Sequence, residues 1–163
     1  GDETDVELLA TTHFLTTQLR LARVYFSGFH PIRDTPLENR PAVDPWREHR
    51  LYQTSFLFRD YGFDLEELPF DADGNLPRHQ DPKLAWAQQN LAGNPVEVNR
   101  AARSELLRVP GVGPRGAAAI LRARRRGALR DIGDLRRIGV RTHNIAPYVL
   151  LDGKRPWQQL RLF

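Results

Sequence analysis

Cysteine is absent from the 163 residues, and with it go disulfides, thiolate nucleophiles, Cys-ligated zinc and Cys-ligated iron–sulfur clusters. Methionine is absent too, even at position 1, which leads to the expectation that the chain is a piece of a longer protein. No apolar run approaches the roughly 18 residues that a membrane-spanning helix requires. No basic-then-apolar leader is visible, so the expected compartment is the cytoplasm, with no membrane partner. Low-complexity segments are missing as well. What remains is ordinary globular usage, 40% apolar and 27% charged, which excludes wholesale disorder. The length suits one medium domain or two small ones.

The net charge of +4 hides a division. Residues 1–95 carry 9 Lys/Arg against 15 Asp/Glu, a net −6, and residues 96–163 carry 15 against 5, a net +10. An Arg-rich module of this size attracts polyanions, nucleic acid first among them. The change of sign coincides with Gly93-Asn94-Pro95, which sets the expected boundary between an acidic region, 1–95, and a basic one, 96–163.

Local signals place the elements. Thr4-Asp5-Val6-Glu7 has the form of a capping box and opens a helix to about Leu19, with Leu8, Leu9, Leu15 and Leu19 as its apolar stripe. Residues 23–27 read as a short strand, rich in aromatic and β-branched side chains. Four prolines from Phe29 to Pro45, the last being Pro45 itself, mark an extended loop. Asp44-Pro45 starts a helix that Gly62 ends in the left-handed conformation. Asp64-Leu65-Glu66-Glu67 repeats the capping pattern, and Asp71–Pro77 is a turn. Its Asp71-Ala72-Asp73-Gly74-Asn75 string has the glycine too early, and no Glu twelfth, for a calcium loop. Asp81-Pro82 starts a helix that ends at Gly93. Downstream, helices are expected near 100–108, 114–126, 131–137 and 142–151.

The informative stretch runs from Leu106 to Leu121. Its apolar spacing puts Leu106, Val109, Ala117, Ile120 and Leu121 on the facing sides of two short helices. Gly111 and Gly113 bracket Val112 in a turn where the backbone bends sharply and permits close approach. Val112 plugs the core beneath, and Pro114 fits the first position of the second helix. The amides opening that helix, at the positive end of its dipole, can hold a phosphate.

This segment resembles the helix-hairpin-helix DNA-binding motif: both glycines, the apolar residue between them, Pro114 and Ala117 align. Many members of that family carry Lys, Ser or Thr where Gly116 stands, so the resemblance implies one phosphate contact fewer, with Arg115 beside it as a charged substitute. Pro95-Val96-Glu97-Val98-Asn99-Arg100-Ala101 looks like the lead-in of tandem domains of the competence-protein type, with Asn99 as the N-cap of the first helix. Asp131-Ile132-Gly133-Asp134-Leu135 fits the linking helix. Leu135–Thr142 looks like a degenerate second hairpin in which Arg141 replaces the second glycine. The implied DNA-binding residues are Gly111, Val112, Gly113, Pro114, Arg115, Gly116, Arg122 and Arg126, with Arg141, Thr142 and His143 as candidates from the second hairpin. At 100° per residue Arg115, Arg122 and Arg126 form one stripe. Arg124 falls on the core side, where a carboxylate or a helix end would hold it, and Arg125 and Arg130 read as solvated.

The acidic half contains Arg23–Ile32, Thr35-Pro36-Leu37-Glu38, Arg47–Gln53 and Asp81–Ala87. Together with the hairpins, these strings resemble the C-terminal portion of a bacterial radical-SAM family of DNA modification or repair proteins, encoded beside a uracil-DNA-glycosylase-like protein. The resemblance implies that residues 1–32 end a barrel whose front is missing here. It also implies that the three-Cys cluster motif, 4Fe–4S and S-adenosylmethionine belong to that missing front. No cofactor and no metal site is expected in this chain. His30, Glu48, His49, Arg50 and Tyr52 are the possible substrate-side residues, although on a helix Glu48 and Tyr52 share a face from which His49 points away.

The fold expected is mainly α: a helical N-terminal segment with a short strand near 22–28, then a compact tandem helix-hairpin-helix domain of five helices. The expected function is sequence-independent binding of double-stranded DNA through its phosphate backbone, as the DNA-targeting part of a repair or modification protein, with no catalytic set of its own. The alternatives are a substrate-side fragment of a radical-SAM enzyme and a protein–protein docking module whose Arg face meets an acidic partner such as the glycosylase-like neighbour.

Overall fold

The computed structural model describes residues 3–157. Among them are six α-helices: α1 (Asp5–Thr17), α2 (Pro45–Phe56), α3 (Pro82–Asn90), α4 (Arg103–Arg108), α5 (Pro114–Ala123) and α6 (Ile132–Arg137). Two short strands, β1 (Val96–Glu97) and β2 (Val149–Leu150), pair in parallel, with Val96 opposite Val149 and Glu97 opposite Leu150. The chain divides into two compact units, Gly1–Ala85 and Trp86–Phe163. That division falls inside α3, upstream of the change in charge sign at 95/96.

In the first unit the caps act as the sequence requires. The Thr4 hydroxyl accepts from the Glu7 amide at 3.4 Å, and the Glu7 carboxylate accepts from the Thr4 amide at 2.7 Å. That backbone donor holds the Glu7 carboxyl below its ordinary range. Asp44 accepts from the Trp46 amide at 2.9 Å and Pro45 opens α2. The last turn, Leu57–Tyr61, widens to a π-turn before Gly62, at φ +66°, stops it. Asp71 accepts from the Asp73 and Asn75 amides at 3.0 and 2.8 Å, so this segment is the expected turn.

Two expectations are corrected. The buried face of α1 is Asp5, Leu9 and Thr12, whereas Leu19 lies beyond the helix and is exposed. Thr12 tolerates burial because its hydroxyl donates to the Leu8 carbonyl at 2.8 Å. Residues 23–28 run straight but pair with no strand among the described residues; side chains from α2 take the place of a neighbouring strand.

Asp5 is the polar centre of this unit. Its side chain is fully buried, and Oδ1 accepts from Arg47 Nε at 2.7 Å. Oδ2 accepts from Arg78 Nη1 at 2.7 Å and from the Leu76 amide at 2.9 Å. Arg47 also donates to the Glu3 carbonyl. One carboxylate thereby joins the start of α1, the first turn of α2 and the 76–78 segment, over an apolar core of Leu9, Leu51, Phe58, Phe63 and Leu76. A buried charge is tolerated only when its partners are present.

In the second unit α6 is capped reciprocally at its N-terminus: Asp131 accepts from the Asp134 amide at 2.8 Å, and Asp134 accepts from the Arg130 amide at 2.8 Å. The Arg130 amide is the main reason the Asp134 carboxyl lies below its ordinary value, with help from Asp131 and Arg137. The helix expected over 142–151 does not form. Asn144 turns left-handed at φ +61°, and only a 3₁₀ turn, Ala146–Tyr148, precedes β2. Pro147 within that turn has no amide to donate, and Val149 and Leu150 pair with β1 instead. Nor is Asn99 a helix N-cap. Its side chain accepts from the Leu129 amide at 2.8 Å and donates to the Leu129 carbonyl at 2.9 Å, clamping the chain that follows α5.

Replacing Asp5 with Asn is expected to lower stability by about 3 kcal/mol, because two guanidinium groups lose their anion. A shift in the urea midpoint of the whole chain measures it; a shift within 0.5 kcal/mol, the ordinary scatter for surface substitutions, would show that the cluster is not structural.

Candidate nucleic-acid interface

The site begins with how α4 ends. The Glu105 carboxylate accepts from the Ala102 amide at 2.6 Å and anchors the first turn. Leu106 and Leu107 are buried. Val109 leaves the helix in an extended conformation, φ −72° and ψ 128°, as expected for the residue before a proline. Pro110 is buried, Gly111 takes φ +82°, and Val112 drops into the core with 1% of its surface exposed.

The two glycines of this turn differ in role. Gly113 sits at φ −99° and ψ −178°, extended backbone that any residue adopts, so the left-handed requirement falls on Gly111. A β-carbon at position 111 would also collide with the Arg141 carbonyl. A side chain at 116 would meet Val140 and Val112 at ordinary contact distances, 3.6 and 3.7 Å. Gly116 is therefore not sterically required.

Gly113 is the N-cap of α5, and as a glycine it offers no side-chain acceptor. Pro114 has no amide. The amides of Arg115 and Gly116 belong to the first turn and have no acceptor within the helix. They form the positive end of the helix dipole, with the exposed Arg115 beside them. Ala117 and Ile120, both fully buried, fix the opposite face against α4.

A second turn repeats the first. Gly139 stands at φ +83°, and Val140 is buried to 4% exposure, matching Gly111 and Val112. Ile145 is buried as Ala117 is. No α-helix follows this turn, so Thr142 and His143 do not stand at a helix N-terminus as Arg115 and Gly116 do. Arg141 is exposed, and its backbone lies against Gly111, so the two turns are neighbours.

The arginines sort by what already holds them. Arg124 donates to the Val98 and Ala101 carbonyls at 3.1 and 2.7 Å, a structural role on the core side. Arg137 pairs with Asp134 at 2.7 Å, and Arg108 lies over the Trp86 ring. Arg115, Arg122, Arg126 and Arg141 are exposed and make no ion pair among the described residues. Because α5 ends at Ala123, helical angle aligns Arg115 with Arg122 but not with Arg126, which lies in the following turn.

The possible substrate-side residues do not converge. Tyr52 and Glu48 both bind the 26–28 backbone, His49 meets the Trp46 ring edge-on at 5.5 Å, and His30 is exposed. Arg50 is buried beneath Trp46 and donates to the Arg78 carbonyl and to Gln53. Sequence reasoning missed the Asp5 cluster, since an acidic residue in a first helical turn reads as an ordinary dipole partner. No group of His, Asp and Glu suited to a metal ion occurs among the described residues. None of their helices is long and apolar enough to cross a membrane.

Comparison with protein-family models, curated proteins and solved structures finds no match to this chain.

Gly139→Ala is expected to cost about 1–2 kcal/mol for its left-handed backbone, with open space around the new methyl group. Gly111→Ala should exceed ~3 kcal/mol, because the clash with the Arg141 carbonyl adds to the same strain. Denaturant midpoints of the two variants measure the difference, and equal losses would contradict the close approach.

Proposed function

We propose that the second unit is a tandem helix-hairpin-helix domain that binds double-stranded DNA through its phosphate backbone without reading sequence. The observation that carries this reading is the uncapped N-terminus of α5. Its free Arg115 and Gly116 amides stand at the end of a glycine turn, flanked by the unpaired Arg115 and by Arg141 of the neighbouring turn. Backbone donors and a helix dipole suit an anion, and the guanidinium groups suit phosphate oxygens. Nothing in this arrangement is shaped to read base edges in a groove. The first hairpin supplies the directed donors in this reading, while the second supplies chiefly Arg141.

The same reading makes the chain the DNA-targeting part of a longer repair or modification protein of the radical-SAM kind. Its cluster and S-adenosylmethionine would lie upstream, and a uracil-DNA-glycosylase-like protein would be its neighbour. The sequence strings described above support that reading. The dispersal of His30, Glu48, His49, Arg50 and Tyr52 favours DNA delivery over the substrate-side fragment as this chain's own role.

Titration of a duplex by the whole chain at several salt concentrations tests the function. With two to four phosphates neutralised, log K against log salt should fall with a slope of roughly −2 to −4. Binding indifferent to salt, or confined to one sequence, would overturn the reading.

A pair of variants separates the hairpin from the general positive field. Gly113→Val keeps the charge and fits the extended backbone at that position, yet shields the α5 amides from a phosphate. Arg125→Ala removes a full charge outside the Arg115–Arg122 face. Gly113→Val is expected to weaken duplex binding more than Arg125→Ala at fixed salt, with circular dichroism reporting that both remain folded. The reverse order would mean that charge alone carries the interaction.

A further inference from the structure

In the first unit, residues 23–32 run without turn or bend. Over 23–28 the exposure alternates: Arg23, Tyr25 and Ser27 are exposed, and Val24, Phe26 and Gly28 are half-buried. This is the period of a strand. One backbone edge is satisfied by side chains of α2. The Tyr52 hydroxyl accepts from the Phe26 amide and donates to the Phe26 carbonyl, both at 3.0 Å. Glu48 accepts from the Gly28 amide at 2.8 Å.

In a strand the amide and carbonyl of successive residues point to opposite edges. Those of Arg23, Tyr25 and Ser27 therefore face away from α2, where no described residue bonds them. The open edge stops at Phe29, whose carbonyl accepts from the Val43 amide at 2.9 Å. Leu21, Tyr25 and Ile32, along or beside the segment, are 45%, 76% and 68% exposed. An unpaired edge among exposed apolar side chains is a surface for strand addition.

We propose that this edge pairs with the same edge of a second copy of the chain, antiparallel, about a two-fold axis at Tyr25. The open edge, bounded by the bonded Leu21 amide and Phe29 carbonyl, is complementary to itself in this register. The three open positions are spaced evenly about Tyr25, so Tyr25 exchanges both backbone bonds with its equivalent and Arg23 lies opposite Ser27 of the second copy. Val24 lies opposite Phe26, an apolar pair on the face toward α2. Moving the pairing two residues toward the N-terminus sets Ser27 against Leu21, whose amide already bonds the Leu15 carbonyl at 3.0 Å. Moving it two residues the other way requires Phe29, whose carbonyl is already taken. A self-complementary patch closes into a dimer rather than a fibre.

Sedimentation equilibrium of the whole chain over a range of concentrations tests this directly. A reversible dimer of twice 18.7 kDa is expected. Tyr25→Lys and Tyr25→Glu each place like charges opposite one another at the axis. Either variant alone should dimerise about fivefold more weakly at low salt, and an equimolar mixture of the two should recover dimer. Ser27→Pro removes one outward donor from each copy while leaving the bonds to Tyr52 and Glu48, and should also shift the chain to monomer. A wild-type chain that stays monomeric, charged variants that dimerise like wild type, or a mixture that recovers nothing would each overturn the proposal. Recovery on mixing shows at once that the charged variants are folded.

Discussion

The carbonyl of Arg141 occupies the space where a side chain on residue 111 would begin, and the arrangement of the basic unit follows from that approach. Gly111 can take φ +82° and leave the space empty, so the two glycine turns come together and Val112 and Val140 enter one core. The same bend aims the start of α5 outward with its first amides unpaired. Had any other residue stood at 111, both the turn and its neighbour would have to move, and the directed donors would move with them.

In the acidic unit polar side chains do work that a sheet or a longer core does elsewhere. Asp5 replaces apolar packing where α1 meets α2 and the 76–78 segment, and its two arginine partners are thereby removed from the charges that solvent or a ligand could meet. Tyr52 and Glu48 replace a neighbouring strand along residues 26–28. Groups that look chemically equipped when the sequence is read in a line, Glu48, Arg50 and Tyr52 among them, are occupied with holding the chain in place. A constellation needs convergence as well as suitable residue types, and here the side chains diverge.

In the basic unit burial and pairing take some arginines out of the surface field and leave others in it. Arg124 is spent on carbonyl groups and Arg137 on Asp134, whereas Arg115, Arg122 and Arg141 remain exposed. Their field is strong because few acidic residues share the unit, and it falls off with ionic strength as any exposed field does. A short helix with an uncapped end adds direction to that field. Direction is what distinguishes a phosphate site from a merely positive surface.

The sequence by itself determined the local events. Thr4, Asp44, Asp64 and Asp131 start their helices, Gly62 ends one, and Gly111 with Val112 makes a turn, because caps and left-handed glycines depend on residues only a few positions apart. The buried positions Leu106, Val109, Val112, Ala117 and Ile120 around the first glycine turn were legible for the same reason, whereas Leu121 is only half-buried. Tertiary structure decided everything that depends on distant partners. Residues 23–28 have strand composition but no strand to pair with, and Thr142–Leu151 has helical spacing but gives its last residues to β1. Asn99 looks like a cap yet clamps Leu129, and Asp5 looks like a solvated first-turn acid yet is the buried anion of two arginines. Each of these depends on a group 20 or more positions away, and no local pattern carries that information.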